Sequence, residues 1–198
     1  MIRLLFVGDG ERDAATNPHL VTVITGAQVI PTTKPWARLN QTGRGYDLKL
    51  LFAILQARQD GLDGVVAAVD RDTSRGRDRL RELQAARTKD REKYAPLPTA
   101  LGVADPHAEA WLLDDPVAVQ TVLRLPADVL IPTVRQVESP KSEIGRLHRA
   151  SPRLNEPTHT ILVEIAQALS LNRCQHSRET GFSHFVEDVR HEIGPLTR

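Results

Sequence analysis

The chain has one cysteine, Cys174, among its 198 residues, and it has no long uncharged hydrophobic run. A single thiol excludes a disulfide framework and a zinc site built on several cysteines, and it is typical of a reducing compartment. No segment approaches the roughly 18 uncharged residues of a membrane-spanning helix. Arg3 interrupts the apolar N-terminal run, which therefore does not resemble a signal peptide. We expect a cytoplasmic protein that does not enter a membrane.

Strong charge of either sign is also missing, since the formal net charge is +1 at pH 7. The composition, 40% hydrophobic and 26% charged, is that of an ordinary globular protein. In residues 1–113 strand-like segments alternate with helix-like ones, which predicts an α/β core with a mostly parallel four-stranded sheet flanked by helices. Ten of the thirteen prolines lie between Pro96 and Pro195. Residues 114–198 are therefore predicted to form short helices that cover this core, as part of one compact unit.

The predicted strands of the core are short and apolar. The first helix is predicted over His19–Thr25, because Asn17-Pro18 is typical of a helix start and Gly26 of a helix end. Residues 31–45 are predicted to be a long loop. The strands themselves are predicted at Ile2–Val7, Ala27–Ile30, Val65–Val69 and Ala100–Ala104.

The second helix is predicted over Tyr46–Gln59 and is followed by Gly61. Its large apolar residues recur at helical spacing, so we expect them to form the stripe that packs on the sheet. These residues are Leu48, Leu51, Phe52 and Leu55.

Two carboxylates, Asp70 and Asp72, follow the segment that is most typical of a buried strand. Residues i and i+2 of an extended chain point the same way, and open α/β sheets bind ligands at the carboxyl ends of their strands. Adjacent carboxylates repel each other unless a cation lies between them or one takes up a proton. The pair therefore predicts a divalent-metal site for Mg²⁺, or Mn²⁺, because such ions prefer oxygen ligands.

The first predicted strand ends in Asp9-Gly10-Glu11-Arg12-Asp13. If the first and third strands are neighbours, Asp9 converges with Asp70 and Asp72, and such a cluster could hold metal ions around a phosphodiester. Gly10 is expected to permit a tight turn and a close approach to phosphate. The alternative is that Asp9 and Asp13 only form a turn and cap the following helix.

These two segments resemble the Toprim domain of topoisomerases, primases and the overcoming-lysogenisation-defect nucleases. Asp9-Gly10-Glu11-Arg12-Asp13 stands where that family has Glu-Gly-x-x-Asp, and Asp70-Arg71-Asp72 stands where it has Asp-x-Asp. Within that group the chain is most similar to proteins of unknown function that are often associated with ATPases. The downstream similarity lies in Glu109-Ala110-Trp111-Leu112-Leu113 and in Cys174 followed by Phe182 and Phe185.

The resemblance implies a Toprim-like fold and a Mg²⁺-dependent nuclease that cleaves DNA or RNA. It also implies a partner ATPase and a role in defence against foreign DNA. Asp9, Asp70 and Asp72 would be the metal ligands, with Asp9 or Glu11 as general base and Gly10, Asp13 and Glu109 in support. The chain departs from the family at Asp9, which is one methylene shorter than the usual Glu.

Two basic residues, Arg71 and Arg75, lie nearest to the carboxylate pair. They are candidate clamps for the phosphates of a nucleic-acid backbone. The alternative is that they belong to an ordinary charged helix stabilised by surface ion pairs.

Two other functions remain open from the sequence. Val69-Asp70-Arg71-Asp72-Thr73-Ser74 resembles the nucleophile motif of haloacid-dehalogenase-like phosphatases, in which the first Asp attacks phosphorus. That motif normally lies on the first strand, whereas here two strand–helix units precede it. The other alternative is a non-catalytic Toprim-like module that binds a partner or nucleic acid, which the shorter side chain of Asp9 favours.

Overall fold

The computed structural model describes residues 1–39, 45–71 and 78–197. It is an α/β protein with one four-stranded sheet, in which every strand pairs in parallel with its neighbours. The strand order is β2-β1-β3-β4, so β1 and β3 are the central pair. The strands are β1 (Ile2–Gly8), β2 (Val29–Pro35), β3 (Gly64–Asp70) and β4 (Thr99–Ala104).

Helices cover both faces of the sheet. Within the described residues, three helices belong to the alternating half of the chain: α1 (Glu11–Thr25), α2 (Tyr46–Gln59) and α3 (Arg79–Lys93). Five shorter helices follow β4: α4 (Glu109–Leu113), α5 (Pro116–Leu123), α6 (Pro140–Arg149), α7 (Thr158–Ala168) and α8 (Phe182–Glu192).

The two faces of the sheet bury alternate residues of each strand, as the two-residue period of a strand requires. Leu5 and Val7 of β1 lie in the core beneath α2 and α3. Leu4 and Phe6 lie in the larger core on the other face, which α1 and the helices after β4 cover. The apolar sequences of β1 after Arg3 and of β3 before Asp70 reflect this burial on both faces.

The first helix begins earlier than predicted, at Glu11, and contains Pro18 in its interior. The predicted helix start at Asn17-Pro18 is therefore wrong. The Gly10 N–H instead donates to the Asp13 carboxylate (3.0 Å), and this hydrogen bond caps the N-terminal end of the helix. Burial of the apolar residues that follow, such as Leu20, outweighs the lost hydrogen bond of an internal proline. The helix end at Gly26 is confirmed, with a left-handed φ of 70°.

Strand β2 extends to Pro35, so the prediction of a loop over residues 31–45 was wrong for its first part. Residues 40–44 lie outside the described residues. Pro31 pairs with Leu4 and Pro35 with Gly8 along the edge of the sheet. An edge strand tolerates proline, because backbone N–H groups on its outer side need no partner in the sheet.

Helix α2 has the predicted bounds, but it packs with a different face from the predicted one. Its buried residues are Leu50, Ala53, Ile54 and Ala57. Leu48, Phe52 and Leu55 are exposed, and only Leu51 of the predicted stripe contacts the core. The spacing is helical for both sets, so periodicity alone does not distinguish them. The smaller alanines allow α2 to approach the sheet closely.

The C-terminal helices pack on the outer strand β4. Phe185 of α8 stacks on Trp111 of α4, with ring centroids 4.9 Å apart. Asp188 accepts a hydrogen bond from the backbone N–H of Leu101 (2.7 Å), on the edge of β4. A covered edge of this kind cannot pair with a further strand. In the described part of the chain, no helix combines the length and the apolar character needed to cross a bilayer.

We predict that Gly102→Ala destabilises the protein by about 1 to 3 kcal/mol. A Cβ atom at Gly102 would lie 2.7 Å from the ring of Phe185 and 3.0 Å from that of Trp111, so α4 and α8 would have to move away from β4. Urea denaturation monitored by circular dichroism measures the change. Gly194→Ala is the matched control, because a Cβ atom there meets nothing within 4 Å. Equal stabilities of the two variants would contradict this account of the packing.

Candidate active site at the carboxyl edge of the sheet

The order of the strands places a crevice between the carboxyl ends of β1 and β3. From β1 the chain moves outward to β2 in one direction, and it later moves outward from β3 to β4 in the other. Helices α1 and α2 lie on opposite faces of the sheet. In open α/β sheets, this reversal of direction is where ligands bind. Any functional group at the ends of β1 and β3 is therefore in the expected position for a site.

Asp9 follows β1 directly and is held at both carboxylate oxygens. Its Oδ2 accepts a hydrogen bond from the backbone N–H of Asp70 (2.6 Å), the last residue of β3. Its Oδ1 accepts one from the hydroxyl of Tyr46 (2.8 Å), the first residue of α2. Burial, reinforced by the charge of Asp9, raises the pKa of the Tyr46 hydroxyl, so this group stays a donor at neutral pH. The expected meeting of Asp9 with Asp70 is present.

Asp70 is the second carboxylate of the crevice. Its Oδ1 accepts from the backbone N–H of Ala108 (3.1 Å), and its Oδ2 lies 3.3 Å from Nδ1 of His107. Burial and then the charge of Asp9 raise the pKa of Asp70 to about 6, although His107 and the Ala108 N–H act in the opposite direction. The site therefore holds Asp70 where its negative charge is unfavourable.

Asp13 is the third carboxylate, and it faces the same narrow depression as Asp9 and Asp70. Burial raises its pKa to about 7, with further contributions from the charges of Asp70 and Glu109. The hydrogen bond from the Gly10 N–H opposes this rise. The predicted alternative role of Asp13, as a helix cap, is thus also present in the structure. A carboxyl group with such a pKa can exchange a proton near neutral pH.

Glu109 lies in the first turn of α4, and its side chain is 7% exposed. Its charge contributes to the raised pKa values of both Asp13 and Asp70, so it belongs to the same electrostatic cluster. Within the described residues its carboxylate forms no hydrogen bond and no ion pair.

The chemistry of these groups fits a divalent cation, because carboxylate oxygens are the ligands that Mg²⁺ and Mn²⁺ prefer. This agreement concerns the type of ligand atom and the negative charge of the site, and not the arrangement of ligands around an ion. In residues 1–39, 45–71 and 78–197, no three acidic, histidine or cysteine side chains form a complete metal-ligand set. Asp72, the predicted partner of Asp70, lies outside the described residues.

For the remaining predicted site residues, the structure gives little information about the predicted role. Arg75 lies outside the described residues, and the side chain of Glu11 is not described. Arg71 lies at the rim and forms an ion pair with Asp105, so its predicted contact with phosphate would require exchange of that partner. The chain bends at Asp9–Gly10, but Gly10 has extended backbone angles that any residue adopts (φ −132°, ψ 173°), so the bend does not require glycine.

Tyr46 and His107 are parts of this cluster that the sequence did not single out. Both lie near the start of a helix, and in a parallel α/β fold the helices begin at the carboxyl edge of the sheet. That topological rule is the signal that could have found them. Tyr46 is held in turn by the guanidinium of Arg79, 4.4 Å from its ring centre, and by an edge-to-face contact with Trp36.

Comparison with known proteins adds no family: no family model, no curated protein and no solved structure matches this chain. The Toprim resemblance therefore stays a prediction from the sequence motifs.

We predict that Asp13→Asn stabilises the metal-free protein at pH 8 by about 1 to 2 kcal/mol, because it removes a charge that is unfavourable in the folded state. Water near the partly exposed carboxyl group screens part of the repulsion, so the gain is smaller than the full pKa shift implies. The pKa of Asp13 is about 7 in the folded protein and 3.8 in the reference state. The folded state therefore binds the proton more tightly, and its stability falls as the pH rises from about 4 through 7. The gain from Asn should grow over this range and then level off.

Denaturation in EDTA at several pH values measures this effect. Asparagine keeps an oxygen that can accept from the Gly10 N–H, so the cap is conserved. Asp128→Asn is the control, because Asp128 is exposed and remote in sequence from the cluster. A variant that is less stable than the original protein at pH 8 would contradict the prediction.

Proposed function

We propose that this protein hydrolyses phosphodiester bonds of DNA or RNA with the help of Mg²⁺ or Mn²⁺. The observation that carries the proposal is the meeting of Asp9, Asp13 and Asp70 at the reversal point of the sheet, where burial and mutual repulsion raise the pKa values of Asp13 and Asp70. A cation would relieve this repulsion, whereas a neutral ligand would not. The Toprim resemblance, which covers the same residues, supports the same chemistry.

The residues have distinct proposed roles. Asp70, Asp72 and Asp9 would hold the metal, with Glu109 close by. A divalent ion held there would polarise the phosphodiester and acidify an attacking water molecule. Asp13, whose carboxylate lines the same depression as Asp9 and Asp70, would accept a proton from that water.

The remaining contacts orient these groups. Tyr46 and the backbone N–H of Asp70 fix the short side chain of Asp9, and the Ala108 N–H fixes Asp70. The partly exposed His107 imidazole lies beside Asp70 at the rim, where a substrate phosphate would pass. A partner ATPase and a role in defence against foreign DNA stay implications of the resemblance alone.

One observation favours a second candidate, a non-catalytic module that binds a partner or nucleic acid. Both oxygens of Asp9 are already used, by the Tyr46 hydroxyl and the Asp70 N–H. An acid that only links β1, β3 and α2 would have the same contacts. In that case Asp9 stabilises the crevice and need not bind a metal.

Cleavage of nucleic acid tests the first candidate. We predict that the protein cleaves single-stranded or duplex DNA, or RNA, in the presence of Mg²⁺ or Mn²⁺, and that Asp70→Asn lowers the rate by at least about 100-fold. Labelled oligonucleotides resolved on denaturing gels measure the rate, and Asp128→Asn is the control for a remote acid. Undiminished cleavage by Asp70→Asn would overturn the proposal. Turnover of p-nitrophenyl phosphate that depends on Asp70, without cleavage of nucleic acid, would favour the phosphatase.

Metal binding separates the nuclease from the non-catalytic module. We predict that Mn²⁺ binds stoichiometrically in calorimetry, that Asp70→Asn abolishes binding, and that Asp128→Asn does not. Because protons compete with the metal for the oxygens of Asp70, the affinity should fall as the pH is lowered through about 6, the pKa of Asp70. No binding at pH 8 would favour the non-catalytic module.

A further inference from the structure

One polar side chain of α1, that of Asn17, lies in the core without a hydrogen bond. Asn17 is fully buried (0% exposed), and in the described part of the chain neither its Nδ2 nor its Oδ1 has a partner. The buried residues that follow it on α1, such as Leu20 and Ile24, are apolar. An amide buried without a hydrogen bond opposes folding, and buried polar groups are almost always paired. The position of this amide therefore requires a specific explanation.

The Asn17 side chain leans toward the acidic crevice. Asn17 lies four residues after Asp13, so the two residues share one face of α1 and their Cβ atoms are about 5 to 6 Å apart. Side chains of a helix lean toward its N-terminal end. Because α1 begins at the carboxyl edge of the sheet, the unpaired amide is directed from the core toward Asp13.

Asp13 can accept a further hydrogen bond. Its Oδ2 accepts from the Gly10 N–H (3.0 Å), whereas no group in the described residues donates to its Oδ1. The other acids that act on Asp13, from β1, β3 and α4, bring negative charge and no donor; they are Asp9, Asp70 and Glu109. An amide has two N–H donors. The unpaired Asn17 amide and the free Asp13 oxygen are thus complementary.

Pro18 adds a second unpaired group on the same turn of α1. Proline has no N–H, so the backbone carbonyl four residues before it loses its helical partner. A water molecule at this turn would therefore have several polar partners, as buried waters require. An unpaired amide and an internal proline at successive positions are both locally unfavourable. Such conflict inside an otherwise consistent core is typical of functional sites.

We propose that Asn17 is a positioning residue for Asp13, and that its Nδ2 donates to the Asp13 Oδ1 directly or through one buried water molecule. The inference rests on the proposed function, in which Asp13 accepts a proton from the attacking water. A carboxylate held at one oxygen can still rotate about its last side-chain bond. A second donor fixes the plane of the carboxylate and favours the ionised form, which is the form that accepts a proton.

The competing explanation is that Asn17 is only tolerated in the core. Leucine distinguishes the two explanations, because it has the same branched shape and no polar atom. If Asn17 had no role, Asn17→Leu would remove an unfavourable group and leave the chemistry unchanged. If Asn17 positions Asp13, the variant still folds but loses much of its cleavage rate.

A crystal structure of the metal-free protein tests the contact without depending on cleavage. We expect the Asn17 Nδ2, or a water molecule bound to it, within about 3.2 Å of the Asp13 Oδ1. In Asn17→Leu this contact should be lost, and the Asp13 carboxylate should have more than one orientation. An Asn17 amide that reaches Asp13 neither directly nor through a water molecule would overturn the inference.

Kinetics test the consequence of the contact. Asn17→Leu is expected to lower kcat for oligonucleotide cleavage by at least about tenfold, while KM and the Mn²⁺ affinity change by less than about twofold. Asn17→Ser keeps a hydroxyl donor and should recover part of the rate. Ile24→Val is the control, because Ile24 is buried on the same face of α1 about two turns farther from the crevice. Urea denaturation checks that each variant is folded.

The possible failures are distinguishable. Unchanged kcat in Asn17→Leu, or an equal loss in Ile24→Val, would overturn the inference and leave the proposed nuclease intact. A larger KM with unchanged kcat would also contradict it, since that result indicates a role in binding the substrate. Absence of cleavage by the original protein would overturn the proposed function and, with it, the positioning role of Asn17.

Discussion

The pairing of β1 with β3 is the constraint on which the site depends. Four register pairs, from Leu4–Gly64 to Val7–Ala67, align the two central strands so that their last residues end at the same edge. The Asp9 carboxylate then accepts the N–H of Asp70, the last residue of β3. This single hydrogen bond joins the two chain segments that carry the acids. A slip of one residue would turn Asp70 to the other face of the sheet.

The same arrangement concentrates negative charge where it is unfavourable. Burial and repulsion among the acids raise the pKa values of Asp13 and Asp70, and Glu109 adds a further buried carboxylate. Part of this cost is offset locally, because α1 and α2 begin at this edge and the N-terminal ends of helices favour negative charge. The part of the cost that is not offset lowers the stability of the folded protein. Such local conflict with an otherwise consistent core is typical of functional sites.

Much of the core was predictable, since β1 after Arg3 and β3 before Asp70 are apolar runs, which are typical of strands buried on both faces. The meeting of Asp9 and Asp70 followed from that prediction. Other features depend on contacts between distant segments. Pro18 lies inside α1 because tertiary burial outweighs its local cost, and β2 continues through two prolines because it lies at an edge. Tyr46 reaches Asp9 only through the packing of α2, which no local pattern encodes.

Helix α2 shows why periodicity alone gave the wrong buried face. Two apolar sets share the same spacing, and the larger side chains, not the smaller ones, remain in contact with water. Close packing of a helix on a sheet favours alanine at the contact, so size decides which set is buried. The helix that presents Tyr46 to Asp9 begins two residues before Leu48, so the exposed apolar residues of α2 begin within one turn of the residue that contacts the acidic crevice.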